Sequence, residues 1–531
     1  MNRRDFLLAS GAISGMAAGS FLVRSHAAEA APKKPNILYV LADDLGYGDV
    51  GCYNLKSKIP TPNIDRLASQ GVRFTDAHDP AAVCTPTRYG ILTGRYCWRS
   101  PLKRDVLDPW KPSLIPPGRL TVPAMLRQHG YTTAAFGKWH LGWDWPTTDG
   151  KHAGFDEQTN TCNVDFTKSI PGGPVSRGFD YFFGNDAPFH PPYVFIENDR
   201  AVALPTGVLP LADLRQKQKE GKELGPLETD PGPMVPGWDL FKYLPEITAK
   251  TIQYIERQAA HNRSEPLFIY MALPSPHTPI VPSPEFRGKS CAGLYGDWVY
   301  QTDWSLGQIL AALDRTGLAG DTMVVFTSDN GPEKFAYQRI LEYGHCSMGD
   351  LRGVKRDSWE GGHRVPFIVR WPGRVNPGTT CFETICHTDL MATCAAIVEA
   401  RLPDDAGEDS YNILPALLGE NNGRSIREAT VMHSANGMFA IRQGDWVFIR
   451  AITGEAMKIE PEWFKQKRGY QPHGYPGELY NLSEDPAECK NLYGEHPEIV
   501  QCLNALLQKY IDNGRSTPGK PQRNDLSIKK T

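Results

Sequence analysis

Residues 36–49 read NILYVLADDLGYGD, an unbroken apolar run that stops at two aspartates and opens into a glycine-rich loop. With no polar alternation, the run suits a strand buried on both faces, as in a parallel sheet covered by helices. Three further runs share the texture: TTAAFGKWHLG (132–142), PLFIYMALPSPHTP (266–279) and MVVFTSDNGPE (323–333). Between them lie amphipathic stretches with helical spacing, NIDRLASQG (63–71), TVPAMLRQHG (121–130), ITAKTIQYIERQAA (247–260) and WSLGQILAALDRTG (304–317). Strand and helix in alternation predict an α/β fold, a mostly parallel sheet flanked by helices. The Pro/Gly-rich stretches 144–240 and 331–365 read as loops over that sheet.

Outward from this core the texture changes. After residue 420, GMFAIRQGDWVFIRA (437–451) reads as an antiparallel hairpin turning at Gln443-Gly444-Asp445. A strand in GELYNL and a helix near 497–512 follow. The expected organisation is an export signal over 1–30, a catalytic domain over 31–420 and a smaller α+β subdomain over 421–531. The signal reading rests on MNRRDFLLASGAISGMAAGSFLVRSHAAEA. Arg3-Arg4 precede a weakly apolar Ala/Gly-rich run and then small residues, the layout of a cleaved twin-arginine export peptide of a bacterial protein. A retained anchor is the alternative, but the run is rich in Gly, Ala and Ser. A periplasmic or extracellular protein without stable membrane insertion is therefore expected. The net charge of −3 gives no support to a nucleic-acid-coating surface. An odd count of 11 cysteines leaves at least one free, modified or bonded outside the chain.

In an open parallel sheet, ligands bind beyond the carboxyl ends of the strands. The strand-end residues are Asp43 and Asp44, Lys138 and His140, His277, and Asp329 and Asn330. Each alone has an ordinary reading: an acidic pair often caps a helix, Asn-Gly is a common turn, and a lone histidine is more often structural. Together, three carboxylates and an amide oxygen are hard donors that suit Ca²⁺ or Mg²⁺. Lys138 and His140 are two apart and so are expected to reach the same space. Lys355, in RGVKRDSWEGG, reads alone as a solvated loop lysine.

The segment CTPTRYGILTGR (84–95) is too polar for a core element, and Cys84 has no metal-ligand partner two to four residues away. Pro86 suits a first helical turn, which places Cys84 at a helix N-terminus, where N–H groups favour an anion, with Arg88 one turn along. A thiolate activated by the helix dipole is one reading.

C-x-P-x-R followed by x-G-I-L-T-G-R also resembles the modification signature of the type I sulfatases of the alkaline-phosphatase superfamily, whose cysteine is oxidised to Cα-formylglycine. The likeness runs from PNILYVLADDLGYGDVGCYN through GKWHLG, SPHTP, TSDNG and WEGGHRVP to ELYNLSEDPAECKNL, in the family's order. It implies an alkaline-phosphatase-like sheet and a sulfuric ester hydrolase in which Asp43, Asp44, Asp329 and Asn330 bind Ca²⁺ with the formylglycine made from Cys84. It further implies that Arg88 holds the formylglycine hydrate, Lys138 and Lys355 bind sulfate oxygens, His277 protonates the leaving alcohol and His140 partners the hydrate hydroxyl. One hydroxyl of the hydrate attacks sulfur, and the second lets the sulfated species collapse to the aldehyde. The implied partners are a sulfated carbohydrate or aryl sulfate ester, and a formylglycine-generating enzyme during maturation. Two alternatives remain: a phosphonate monoester or phosphodiester hydrolase of the same superfamily, and a non-catalytic sulfoglycan-binding homologue. Trp98-Arg99, Lys103-Arg104, Trp143, Trp145, His190, Tyr193 and Trp238 are side chains that could face a sugar, most of them expected to pack loops instead.

Overall fold

The apolar run over Asn36–Asp43 forms β1, the middle of a ten-stranded sheet. The computed structural model describes residues 34–209, 229–261, 264–421 and 423–525; the segment read as an export signal lies outside them. The other strands of this sheet are β2 (Val72–Phe74), β3 (Thr132–Lys138), β4 (Tyr181–Asn185), β5 (Ile196–Glu197), β6 (Arg200–Ala201), β7 (Leu267–Pro276), β8 (Thr322–Ser328), β9 (Phe367–Arg370) and β10 (Thr379–Cys381). Their spatial order is β10-β2-β9-β8-β1-β7-β3-β4-β5-β6. The five central strands, β8-β1-β7-β3-β4, run parallel, and antiparallel pairings occur on both sides of them. Every residue of β7 and β8 is buried, which explains the unbroken apolar runs in the sequence.

Successive residues of β1 feed opposite faces of the sheet. Ile37, Tyr39 and Leu41 join Val122, Met125 and Leu126 of helix α3 (Val122–Gln128). Leu38, Val40 and Ala42 join Ile64 and Leu67 of α1 (Pro62–Ser69), Ile247 and Ile255 of α4 (Tyr243–His261), and Leu306 and Leu310 of α5 (Gly293–Thr316). The layers are thus helix, sheet, helix, as the alternation predicts, and α2 (Cys84–Thr93) carries the polar CTPTR segment.

Three details depart from the sequence reading: the stretch 331–365, read as loop, carries a helix over Ala336–Tyr343. The stretch 144–240 is not loop alone, since Tyr181–Asn185 joins the sheet parallel to β3. Helix α5 begins at Gly293 rather than near Trp304, because Trp298, Val299 and Thr302 are already buried.

Beyond residue 420, β11 (Thr430–His433), β12 (Phe439–Gln443), β13 (Trp446–Ile449) and β14 (Glu478–Asn481) make an antiparallel sheet. Its hairpin turns where expected, with Gln443 opposite Trp446. Helix α6 (Pro497–Asp512) lays Leu503 and Leu507 on Ile441 and Phe448. From Pro35 onward the described residues pack as one unit. A buried guanidinium helps join the parts: Arg99 donates through Nε and Nη2 to Asp409, both at 2.8 Å, and through Nη1 to the Tyr510 carbonyl at 3.0 Å.

Candidate active site

The site lies where β1, β3, β7 and β8 end. Asp43 closes β1, and Asp44 follows with φ 68°, a left-handed turn that aspartate tolerates better than most residues. Its amide donates to Asp329 Oδ1 at 3.2 Å, and the Leu45 amide donates to Ser328 Oγ at 2.9 Å, so the ends of β1 and β8 are stitched together. Asn330 Nδ2 donates to Asp44 Oδ1 at 2.7 Å. Gly331 follows, with room for nothing larger: a Cβ there would lie 1.9 Å from the Gly361 carbonyl oxygen.

Helix α2 begins at Cys84 with no side-chain cap at Val83, and the whole first turn is buried. From that turn Arg88 donates to Asp329 Oδ2 through Nε at 3.0 Å and Nη2 at 2.6 Å, and to the Lys138 carbonyl through Nη1 at 3.2 Å. Its Nη2 also lies 3.6 Å from Asp43 Oδ1. Lys138, at the tip of β3, donates to Asp43 Oδ2 at 2.7 Å. Lys355 donates to Asp44 Oδ2 at 2.9 Å and lies 3.4 Å from Glu333 Oε1. Arg356 donates to the same Glu333 oxygen at 2.6 Å.

His277 Nδ1 donates to the Thr278 carbonyl, which leaves Nε2 as the acceptor, 3.8 Å from Asp44 Oδ2. His140 Nε2 donates to the Leu107 carbonyl at 3.1 Å, and its Nδ1 is buried without a partner. Strand alternation does not place His140, since it lies past the end of β3 with φ 53°. It nevertheless lines a pocket of about 610 Å³ together with Cys84, Lys138, His277 and Lys355.

The structure therefore brings every predicted site residue to one edge of the sheet. Ligand atoms of Asp43, Asp44, Cys84 and His277 all lie within 4.8 Å of one another.

The sulfatase family model matches residues 35–400, and the model for the C-terminal region of N-sulphoglucosamine sulphohydrolase matches 354–515. An N-acetylgalactosamine-6-O-sulfatase of Bacteroides thetaiotaomicron is 36% identical over 90% of this chain and 93% of its own length. Human arylsulfatase A is 31% identical over 92% and 90%.

The chain belongs to the sulfatase family.

A solved sulfatase structure from B. thetaiotaomicron, described in connection with the metabolism of multiple glycosaminoglycans, superposes with a TM-score of 0.75 at 34% identity, covering 90% of this chain and 99% of that one. The fold is accordingly alkaline-phosphatase-like, with a mostly parallel sheet flanked by helices and a smaller C-terminal sheet. As a sulfatase the chain is a sulfuric ester hydrolase.

The electrostatics of this sulfatase's site follow from burial against charge. Burial pushes the Cys84 thiol up to about 12, and the downward pull of Lys138 and Lys355 does not overcome it. An activated thiolate is thereby disfavoured, and the dipole of a helix start is too weak to reverse it. Burial and the nearby Asp43 push Asp329 up to about 6 even with Arg88 against it. Burial would raise Asp44, but Lys355, His277 and Lys138 hold it well below the usual carboxylate range. Burial, then Lys355, pushes His277 down to about 3, and burial with Lys138 and Arg88 pushes His140 well below its ordinary value.

Three site carboxylates, Asp43, Asp44 and Asp329, are matched by three cations of the chain, Arg88, Lys138 and Lys355. An incoming anionic ester therefore needs added positive charge. Asp43 Oδ1 and Asn330 Oδ1 are buried oxygens without hydrogen-bond partners among the described residues. Hard, under-satisfied oxygens at a place short of positive charge fit a divalent ion such as Ca²⁺.

Sequence reasoning missed Glu333, which orders Lys355 and Arg356. Its position, three residues past Asn330, was the available signal. It also left Trp98, Arg99, Trp143, Trp145 and Tyr193 as sugar-facing candidates; all five are buried in the core, where Trp98 and Arg99 stack and Trp143 packs on Phe182.

Proposed function

We propose that this sulfatase removes sulfate from a sulfated carbohydrate, with a nucleophile made by oxidising Cys84 to Cα-formylglycine and with Ca²⁺ held by Asp43, Asp44, Asp329, Asn330 and residue 84. The observation that carries the reading is Cys84 at the uncapped start of α2, sharing one pocket with Lys138, Lys355, His140 and His277. The metal would supply Lewis-acid polarisation of a sulfate oxygen, and the hydrated aldehyde would supply one hydroxyl to attack sulfur and a second to restore the carbonyl.

The chain's own groups do the rest. Lys138 and Lys355, already fixed by Asp43 and Asp44, offer their remaining N–H bonds to sulfate oxygens and stabilise charge as it builds there. Arg88 is locked onto Asp329 and reaches the Lys138 carbonyl, so it ties α2, the helix that begins at residue 84, to the ends of β8 and β3. The partnerless Nδ1 of His140 is the acceptor for a hydroxyl proton at residue 84. His277, which lines the same pocket, is assigned to protonate the leaving alcohol; bound sulfate beside it would supply negative charge that favours the proton it must deliver.

The named specificities of the relatives, N-acetylgalactosamine 6-sulfate among them, support a sulfated sugar as substrate. The N-terminal pattern supports export to the periplasm or beyond, and the modification requires a formylglycine-generating enzyme as a maturation partner. The deciding experiment sets a panel of sulfated mono- and oligosaccharides beside a phosphate diester and a phosphonate monoester. Turnover of a sulfate ester is expected; a strong diester or phosphonate preference, or no turnover by protein carrying the aldehyde, would overturn the reading.

A further inference from the structure

His190 is the single sugar-facing candidate from the sequence that lines the pocket above Cys84. It follows β4 on the loop Asp186–Pro192 and is half-buried. Its Nδ1 lies 2.9 Å from Asp230 Oδ2. A carboxylate can only accept, so Nδ1 carries the proton and, in the neutral ring, Nε2 is left as an acceptor. Among the described residues Nε2 has no partner.

The backbone around the pair is built into the fold, although the Asp230 carboxylate is itself 66% exposed. The buried Tyr193 hydroxyl donates to the Asp230 carbonyl and lies 2.7 Å from Thr229 Oγ1, which in turn donates to the Phe189 carbonyl at 2.6 Å. The His190 amide donates to the Ala187 carbonyl at 3.0 Å. The segments 187–193 and 229–230 are therefore pinned to each other, which brings the His190 imidazole beside the Asp230 carboxylate.

The mouth of the pocket also carries the exposed carboxylates of Asp105 and Asp108. Its floor presents Lys138 and Lys355, with Arg356 at their side, to a sulfate, while this wall presents hydrogen-bond acceptors. The chemical complement of such a wall is a ring bearing hydroxyl donors, with no second anionic group on that side.

We propose that His190 is a specificity-determining residue, whose Nε2 accepts a hydrogen bond from a hydroxyl of the sulfated sugar, and that Asp230 is its positioning residue. This rests on the sulfatase reading above and adds the part of the substrate that is recognised. An aryl sulfate has no such hydroxyl and bypasses the contact.

The test uses the full matured chain, its His190→Ala variant and its Asp230→Ala variant. Each is assayed on 4-nitrophenyl sulfate and on monosulfated sugars, N-acetylgalactosamine 6-sulfate and galactose 6-sulfate. Removing a half-buried hydrogen-bond acceptor predicts that kcat/KM on the better sugar falls about three- to tenfold beyond any change on the aryl ester, chiefly through KM. Asp230→Ala should show the same selective loss, smaller in size. Equal losses on both substrates, or no selective loss on the sugar, would overturn the proposal, as would a wild type that cleaves the aryl ester and neither sugar. Wild-type protein that cleaves no sulfate ester at all would instead overturn the functional reading beneath it.

Discussion

Arg88 Nη2 lies 2.6 Å from Asp329 Oδ2, both side chains are fully buried, and 241 residues separate them in sequence. This pair ties the helix that begins at Cys84 to the end of β8. Removing one partner of a buried pair leaves an uncompensated charge, at a typical cost of about 3–5 kcal/mol. Arg88→Ala should therefore lower the unfolding midpoint markedly as well as the activity. Denaturant unfolding of the variant checks this, and a stability equal to wild type contradicts the structural role.

Removing the Lys355 ammonium leaves Arg356 to neutralise Glu333 but strips the buried Asp44 of its cation, so a loss of stability is expected beside the chemical effect. Lys355→Ala should depress kcat for a sulfate ester by about 10²–10³-fold, the usual effect of deleting one charge-stabilising donor. Single-turnover and steady-state rates measure it; retention of more than half the activity would count against the assignment.

Cys84→Ala should abolish turnover with little change in thermal midpoint, since the substitution removes only one sulfur from the first turn of α2. Mass spectrometry of the wild-type peptide should show a loss of about 18 Da on conversion of thiol to aldehyde. An intact thiol in protein that turns over sulfate esters would refute the nucleophile.

Chelation of divalent ions should lower both activity and melting temperature, with Ca²⁺ restoring them. A ligand present at 100 times its Kd stabilises a native state by about 2.7 kcal/mol, so calorimetry with and without Ca²⁺ reads the effect directly. Full activity after exhaustive metal removal contradicts the donor set.

Gly331→Ala tests the backbone behind Asn330. The added methyl would meet the Gly361 carbonyl at 1.9 Å, so either the Asn330 turn or the 361–362 segment must move. Loss of activity together with weaker Ca²⁺ stabilisation is expected; wild-type behaviour in both would show that the close approach is dispensable.

Much of this was legible in the sequence for a simple reason. Parallel strands buried on both faces, such as Leu267–Pro276, leave continuous apolar runs, and their ends announce the ligand edge. Tyr181–Asn185 was not legible, because five residues between Pro/Gly-rich segments carry too little pattern. Burial in three dimensions also decides what composition cannot. Trp143 and Trp145 look like sugar platforms in the sequence but pack against each other and against Phe182. His190 matters because Asp230, 40 residues away, stands beside it, and no local signal joins the two.

The neighbours of β1 are β7 and β8, so a segment at residue 36 waits for partners beyond residue 266. Such long loop closures are entropically slow, and they favour late consolidation of the sheet's middle. During synthesis the amino-terminal half of the catalytic layer must persist without its flanking strands, with its apolar edges open to aggregation until more than 300 residues have been made.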